Sequence, residues 1–71
     1  MKGSVYHLIT VLQTDKVEDN RMAAACALMK INEPQGVTAV EEAALYDGSE
    51  KVSRYCEQLL KGSMKHISLK E

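Results

Sequence analysis

The chain has 71 residues, a formal net charge of −1 from nine Lys and Arg against ten Asp and Glu, and a mean hydropathy of −0.25. That length accommodates one domain at most, and so short a chain buries only about 60% of the surface its unfolded form exposes. The charge balance lacks the basic excess of a nucleic-acid binder, and the longest apolar run, Met22 to Met29, falls far short of the roughly 20 residues of a membrane span.

Strand signals are nearly absent: there is no Phe or Trp, and no sustained alternation bounded by turn residues. Helix punctuation is plentiful. Ser4 is placed to cap a first helix ending near Thr14, with Val5, Leu8 and Leu12 on one face and Ile9 beside them. The Thr14-Asp15-Lys16 step breaks that pattern. A second helix is expected from about Val17 to Ile31, with Glu18 and Asp19 in the first turn, where the helix dipole favours negative charge. Pro34 suits the first position of a third helix, which carries Val37, Val40, Ala44 and Leu45 inward and stops at Gly48. Ser49 caps a fourth helix that reaches Leu60 or Lys61, with Gly62 ending it. The tail, residues 63–71, has too little pattern to assign.

The second half of this pattern resembles the first. At an offset of 32 residues, Val5 falls on Val37, Asp15 on Asp47, Glu18 on Glu50 and Leu28 on Leu60, with Leu8 on Val40. Each half is a short apolar helix, an Asp-containing turn and a longer helix. Periods of this length mark stacked supersecondary units.

The segment NRMAAACAL, followed by INEPQGVTAVEEAALYDGSEKVSRYCEQLL, resembles the short HEAT-like repeats first associated with phycobilisome lyases. Arg21, Ala24, Ala25, Ala27 and Leu28 match the first repeat, and Pro34 and Asp47 fall at the next link and turn. Departures are Asn20 in place of Val, Ser53 in place of the second repeat's Arg, and Cys56, Glu57 and Leu59 in place of its alanines. The resemblance implies an all-α fold of four helices, as two stacked antiparallel helical hairpins forming a HEAT-like α-solenoid fragment. Repeat one then spans about residues 4–32 and repeat two about 34–62, within a single domain. Arg21 is expected to lie close enough to Asp15 or Asp47 to pair.

Enzymes occur among such repeats, but their chemistry has no foothold here. The family's di-iron hydroxylases bind metal through His-Glu pairs. Only His7 and His66 are present, and neither precedes Glu, so no metal site is expected. HEAT-like DNA glycosylases need a basic groove, whereas Glu18, Asp19, Glu33, Glu41 and Glu42 dominate helices two and three. Neither cysteine belongs to a C-x-x-C pair. Cys56, on the inward stripe with Val52 and Leu59, is expected to be buried and inert. Cys26 is expected to be more exposed, with no disulfide between them. No catalytic residue and no cofactor is assigned. The amino-terminal stretch lacks the pattern of a signal peptide, so a cytoplasmic protein is expected.

One feature stands out from a solvated surface. On the second helix, Val17, Asn20, Ala24, Ala27, Leu28 and Ile31 share a packing face, while Met22, Cys26 and Met29 occupy the other side, bordered by Glu18, Asp19 and Lys30. One repeat later the corresponding positions are Arg54, Gln58 and Lys61, with Glu50 and Glu57 forming i,i+4 pairs. Methionine adapts to irregular partners and is over-used at binding surfaces. Two repeats also lack the three or more that usually stabilise such stacks. The expected function is therefore a non-enzymatic protein-interaction module, self-associating or docking on a protein partner, with Met22, Cys26, Met29, Glu18 and Lys30 as the candidate surface. Nucleic acid and membrane are not expected partners. An accessory subunit of an enzyme system, such as a bilin-lyase-like or chaperone component, is the alternative. The other reading of the strip is structural: the tail, through Ile67 and Leu69, or part of helix one, covers it.

Overall fold

The computed structural model describes the backbone of residues 2–68 and the side chains of residues 4–62. It contains four helices, α1 (Lys2–Thr14), α2 (Glu18–Ile31), α3 (Pro34–Tyr46) and α4 (Glu50–Ser68), and no strand among the described residues. The all-α expectation and the four-helix count are met.

Each boundary has a local cause. α2 starts after Val17, which has extended backbone, and its side chain makes no cap. The Asp15 carboxylate fixes the turn that leads into the helix, accepting the Val17 N–H at 2.8 Å. Glu18 and Asp19 then sit in the first turn and Lys30 in the last, both signs favourable to the helix dipole. Asn32 closes α2 in the left-handed conformation, φ 61° and ψ 38°, with its N–H on the Leu28 carbonyl at 2.9 Å. Asparagine tolerates that conformation better than most residues. Pro34 then opens α3 at its first turn, where a missing N–H costs nothing.

Three boundaries differ from expectation. α1 begins at Lys2, so Ser4 lies inside the first turns and does not cap it. α3 stops at Tyr46 as expected, but Gly48 is not the device, because no described glycine has positive φ. Asp47 turns the chain out instead, in extended backbone, with its carboxylate accepting the Ser49 N–H at 2.9 Å. α4 does not end at Gly62 but continues to Ser68. Without a left-handed φ, glycine costs a helix only about 1 kcal/mol, and the strongly amphipathic pattern around it carries the helix on.

The core is built from small side chains. Val5 and Leu12 of α1, Ala24, Ala25 and Leu28 of α2, Ala39 and Val40 of α3, and Val52 and Cys56 of α4 are all buried. Gly36 is buried with them. A Cβ on Gly36 would meet Leu28 Cδ2 at 2.9 Å, so the glycine is what lets α3 approach α2 this closely. α2 and α3 each pack against all three other helices, whereas α1 and α4 do not touch one another among the described residues. The alanine-rich run follows from that position: α2 is approached from three directions, and small residues let the backbones close in.

Leu45, expected inward, is 73% exposed. The face of α3 that packs is Gly36, Ala39 and Val40, with Ala43 and Ala44 partly buried, because close approach selects the small residues over the large one. Val17 and Ile31, expected on the packing face of α2, lie at its two ends and are exposed, as is Asn20. Neighbouring helices cover the middle of α2 better than its ends.

Candidate functional site

The best-defined polar cluster joins the α1–α2 and α3–α4 turns. Arg21, in the first turns of α2, donates from Nε to Asp47 Oδ2 at 3.1 Å and from Nη2 to Asp47 Oδ1 at 3.2 Å. Its Nη1 donates to the Asp15 carbonyl at 2.6 Å. Both side chains are largely withdrawn from water, at 15% and 7% exposure. The expected pairing of Arg21 is therefore present. It takes the Asp47 carboxylate and the main chain, not the carboxylate, of Asp15.

Asp15 and Asp47 do occupy equivalent places. Each carboxylate accepts the N–H two residues on, from Val17 and Ser49 respectively. Their remaining partners differ. Arg21 fills the second side of Asp47, whereas the Asn20 amide fills that of Asp15, at 3.2 and 3.3 Å. At the position matching Arg21 one repeat later, Ser53 donates to the Ala44 carbonyl. Ser49 ties the same region together: its hydroxyl accepts the Val52 N–H at 3.3 Å and donates to Glu18. Each charged side chain in this cluster has a hydrogen-bond partner, and the Arg21–Asp47 pair is the one place where opposite charges meet in it, so the cluster holds the two turns together.

The side chains named on α2 fall in two groups. Glu18 and Lys30 are exposed. Met22, Cys26 and Met29 are half-buried, and Met22 and Met29 pack against the core. α2 has neighbours on more than one side, and these three side chains are partly covered. Cys26 lies beside Tyr55 of α4, whose phenol is held above its ordinary pKa first by hydrogen bonding with the Cys26 side chain and then by burial. Of the tail residues considered as a cover, Ile67 and Leu69 lie outside those whose side chains are described.

Both cysteines are free, Cys56 buried and Cys26 half-buried. Burial, assisted by the negative charge of Asp47, pushes the Cys56 thiol up to about 11. It is protonated at neutral pH and a poor nucleophile. Among the described residues, no group of three or more His, Cys, Asp or Glu is arranged to hold a metal. No helix there is long and apolar enough to cross a membrane.

A different surface is left open. α1 and α3 flank a groove of about 220 Å³, lined by Leu12, Gln13, Ala39, Glu42, Ala43, Tyr46 and Asp47. Tyr46 is 79% exposed at its edge, and Leu45 beside it also points outward. The ion pairs among the described residues are Arg21–Asp47, Lys51–Asp19, Arg54–Glu50 and Lys61–Glu57, and neither Glu41 nor Glu42 takes part in any. Several charges on α2 and α4 are thus paired, while among the described residues α3 presents Glu41 and Glu42 outside any ion pair, beside exposed apolar groups. Reading Leu45 as inward hid this surface. The adjacent Leu45-Tyr46 pair in the last turn of the helix was the available signal, because helix ends are covered less well than helix middles.

No protein-family model matches the chain, and neither a curated protein nor a solved structure matches it significantly.

Proposed function

We propose that the chain is a non-enzymatic protein-interaction module of two HEAT-like repeats, and that it self-associates. The repeat reading is supported by the equivalent turns at Asp15 and Asp47 and by the Arg21 side chain that bridges them. It is also supported by the packing pattern, in which first helices meet (α1 with α3), second helices meet (α2 with α4), and α1 and α4 stay apart. The Arg21–Asp47 pairing in the turn cluster, and a buried protonated Cys56, favour binding over catalysis.

The observation that carries the interaction reading is the exposure of Leu45 and Tyr46 beside the α1/α3 groove. Two adjacent large apolar side chains left exposed among the described residues gain from an outside neighbour, and burying a large apolar side chain is worth about 1.5–3 kcal/mol. Met22, Cys26 and Met29 then serve mainly to pack α2, with Glu18 and Lys30 on its solvated edge. Sedimentation equilibrium over a wide concentration range tests the reading. A mass that rises above 7.9 kDa with concentration is expected; a chain that stays at 7.9 kDa throughout sinks self-association.

A further inference from the structure

We propose, building on that self-association, that the α1/α3 groove receives the segment 61–70, which begins in α4, from a second copy of this chain. The floor of the groove is apolar, from Leu12, Ala39 and Ala43, and Glu42 stands on its rim. From Glu33 to Tyr46 the chain carries Glu33, Glu41 and Glu42 and no Lys or Arg. The complement to such a surface is a basic segment with apolar side chains at helical spacing. The stretch KGSMKHISLK has that composition: Lys61 and Lys65 are four apart, Met64 and Ile67 three apart, and it contains no acid. Three- and four-residue spacings of this kind are those of neighbours on a helix, and the backbone is helical as far as Ser68.

The direction of α4 makes the contact intermolecular. The helix starts at Glu50, just after the turn beside Tyr46, and leads away from it. At 1.5 Å per residue, Lys61 lies about 16 Å and Ser68 about 27 Å along the axis. α4 packs on α2 and α3 and does not touch α1, which forms one wall of the groove. A continuous helix cannot return to a site at its own starting end. A second copy can deliver the segment, and mutual exchange of the two segments closes a two-fold dimer.

The test is a charge exchange, read by sedimentation velocity on the full chain at low ionic strength, with circular dichroism to show that each variant is folded. Glu42→Lys alone and Lys65→Glu alone are each expected to weaken association by about tenfold or more, because each sets like charges against one another. The double variant is expected to recover to within about threefold of wild type. Leu45→Asp, at a site already in water in the single chain, is expected to weaken association while the fold persists. Single variants that associate like wild type, or a double variant as weak as the singles, would overturn this docking and leave self-association standing. A wild type that is monomeric at every concentration overturns both.

Discussion

Arg21 and Asp47 meet through two parallel hydrogen bonds, Nε to Oδ2 at 3.1 Å and Nη2 to Oδ1 at 3.2 Å, across 26 positions of sequence. The same guanidinium reaches the Asp15 carbonyl, so one side chain fixes both turns. A lysine has neither the planar fork nor the third donor direction needed to do this. Removing either partner leaves the other charge largely shielded from water and unmatched. Arg21→Ala and Asp47→Ala are each expected to cost about 2–4 kcal/mol, toward the range for breaking buried pairs. That is a large part of the roughly 4–11 kcal/mol available to a chain of this size. Denaturant melts of both single variants and the double variant give the coupling energy directly. Purely additive losses would show that the two residues act separately.

Gly36 makes a second prediction, in which two effects oppose. Alanine in a helix is favoured over glycine by about 1 kcal/mol. Here the new Cβ meets Leu28 Cδ2 at 2.9 Å and Leu28 Cβ at 3.4 Å, and Leu28 is fully buried, so its side chain must shift within the core. Overpacking of this kind costs about 1–3 kcal/mol. Gly36→Ala is therefore expected to destabilise by about 1 kcal/mol net, whereas Gly62→Ala, with open space around it, is expected to stabilise by a similar amount. A stabilised Gly36→Ala variant would show that α2 and α3 do not need this close approach.

The two glycines also show how much was legible in the sequence. Helix existence was readable, because Pro34, the paired aspartates and the acidic first turns each act locally. Helix length was less so. Gly62 can stop a helix only by adopting a conformation it does not adopt here, and that choice depends on the residues after it. Burial was readable where branched residues recur, as at Val5, Leu12, Val40 and Val52. It was misread where packing selects the smallest residue: Gly36 and Ala39 lie inside and Leu45 outside, against the order that hydropathy alone suggests. The Arg21–Asp47 link was legible only through the repeat reading, in which the 32-residue offset aligns Asp15 with Asp47 and Glu18 with Glu50.

The cysteines predict a reactivity order and a pH dependence. Cys26 is expected to react with a thiol reagent in the native chain, while Cys56 is expected to react only after unfolding. The folded state holds the Cys56 proton to about 11, against an ordinary value of 9.0. Below pH 9 both states are protonated and the stabilisation is complete. Between about pH 9 and 11 the unfolded chain loses the proton first, so stability falls as pH rises. Cys56→Ala is expected to flatten that fall in denaturant midpoints. Equal, fast labelling of both thiols in the native state would show that Cys56 is not enclosed.

The methionines separate a packing role from a docking role. Met22 and Met29 are partly buried against the core, so Met22→Glu with Met29→Glu puts two carboxylates where apolar contacts are now made. A buried polar group without partners costs about 1–3 kcal/mol by mutational measures, and half-burial places each change near the lower end. The double variant is expected to lose about 2 kcal/mol of stability, seen as a lowered melting temperature by circular dichroism. The remaining folded chain is expected to associate like wild type, because the proposed contact lies on the α1/α3 side. Met22→Leu with Met29→Leu keeps the volume and is expected to restore the melt. Suppose instead that the glutamate variant melts like wild type and sediments as a monomer. The α2 line would then be the interface, and the exposed Leu45 and Tyr46 would need another explanation.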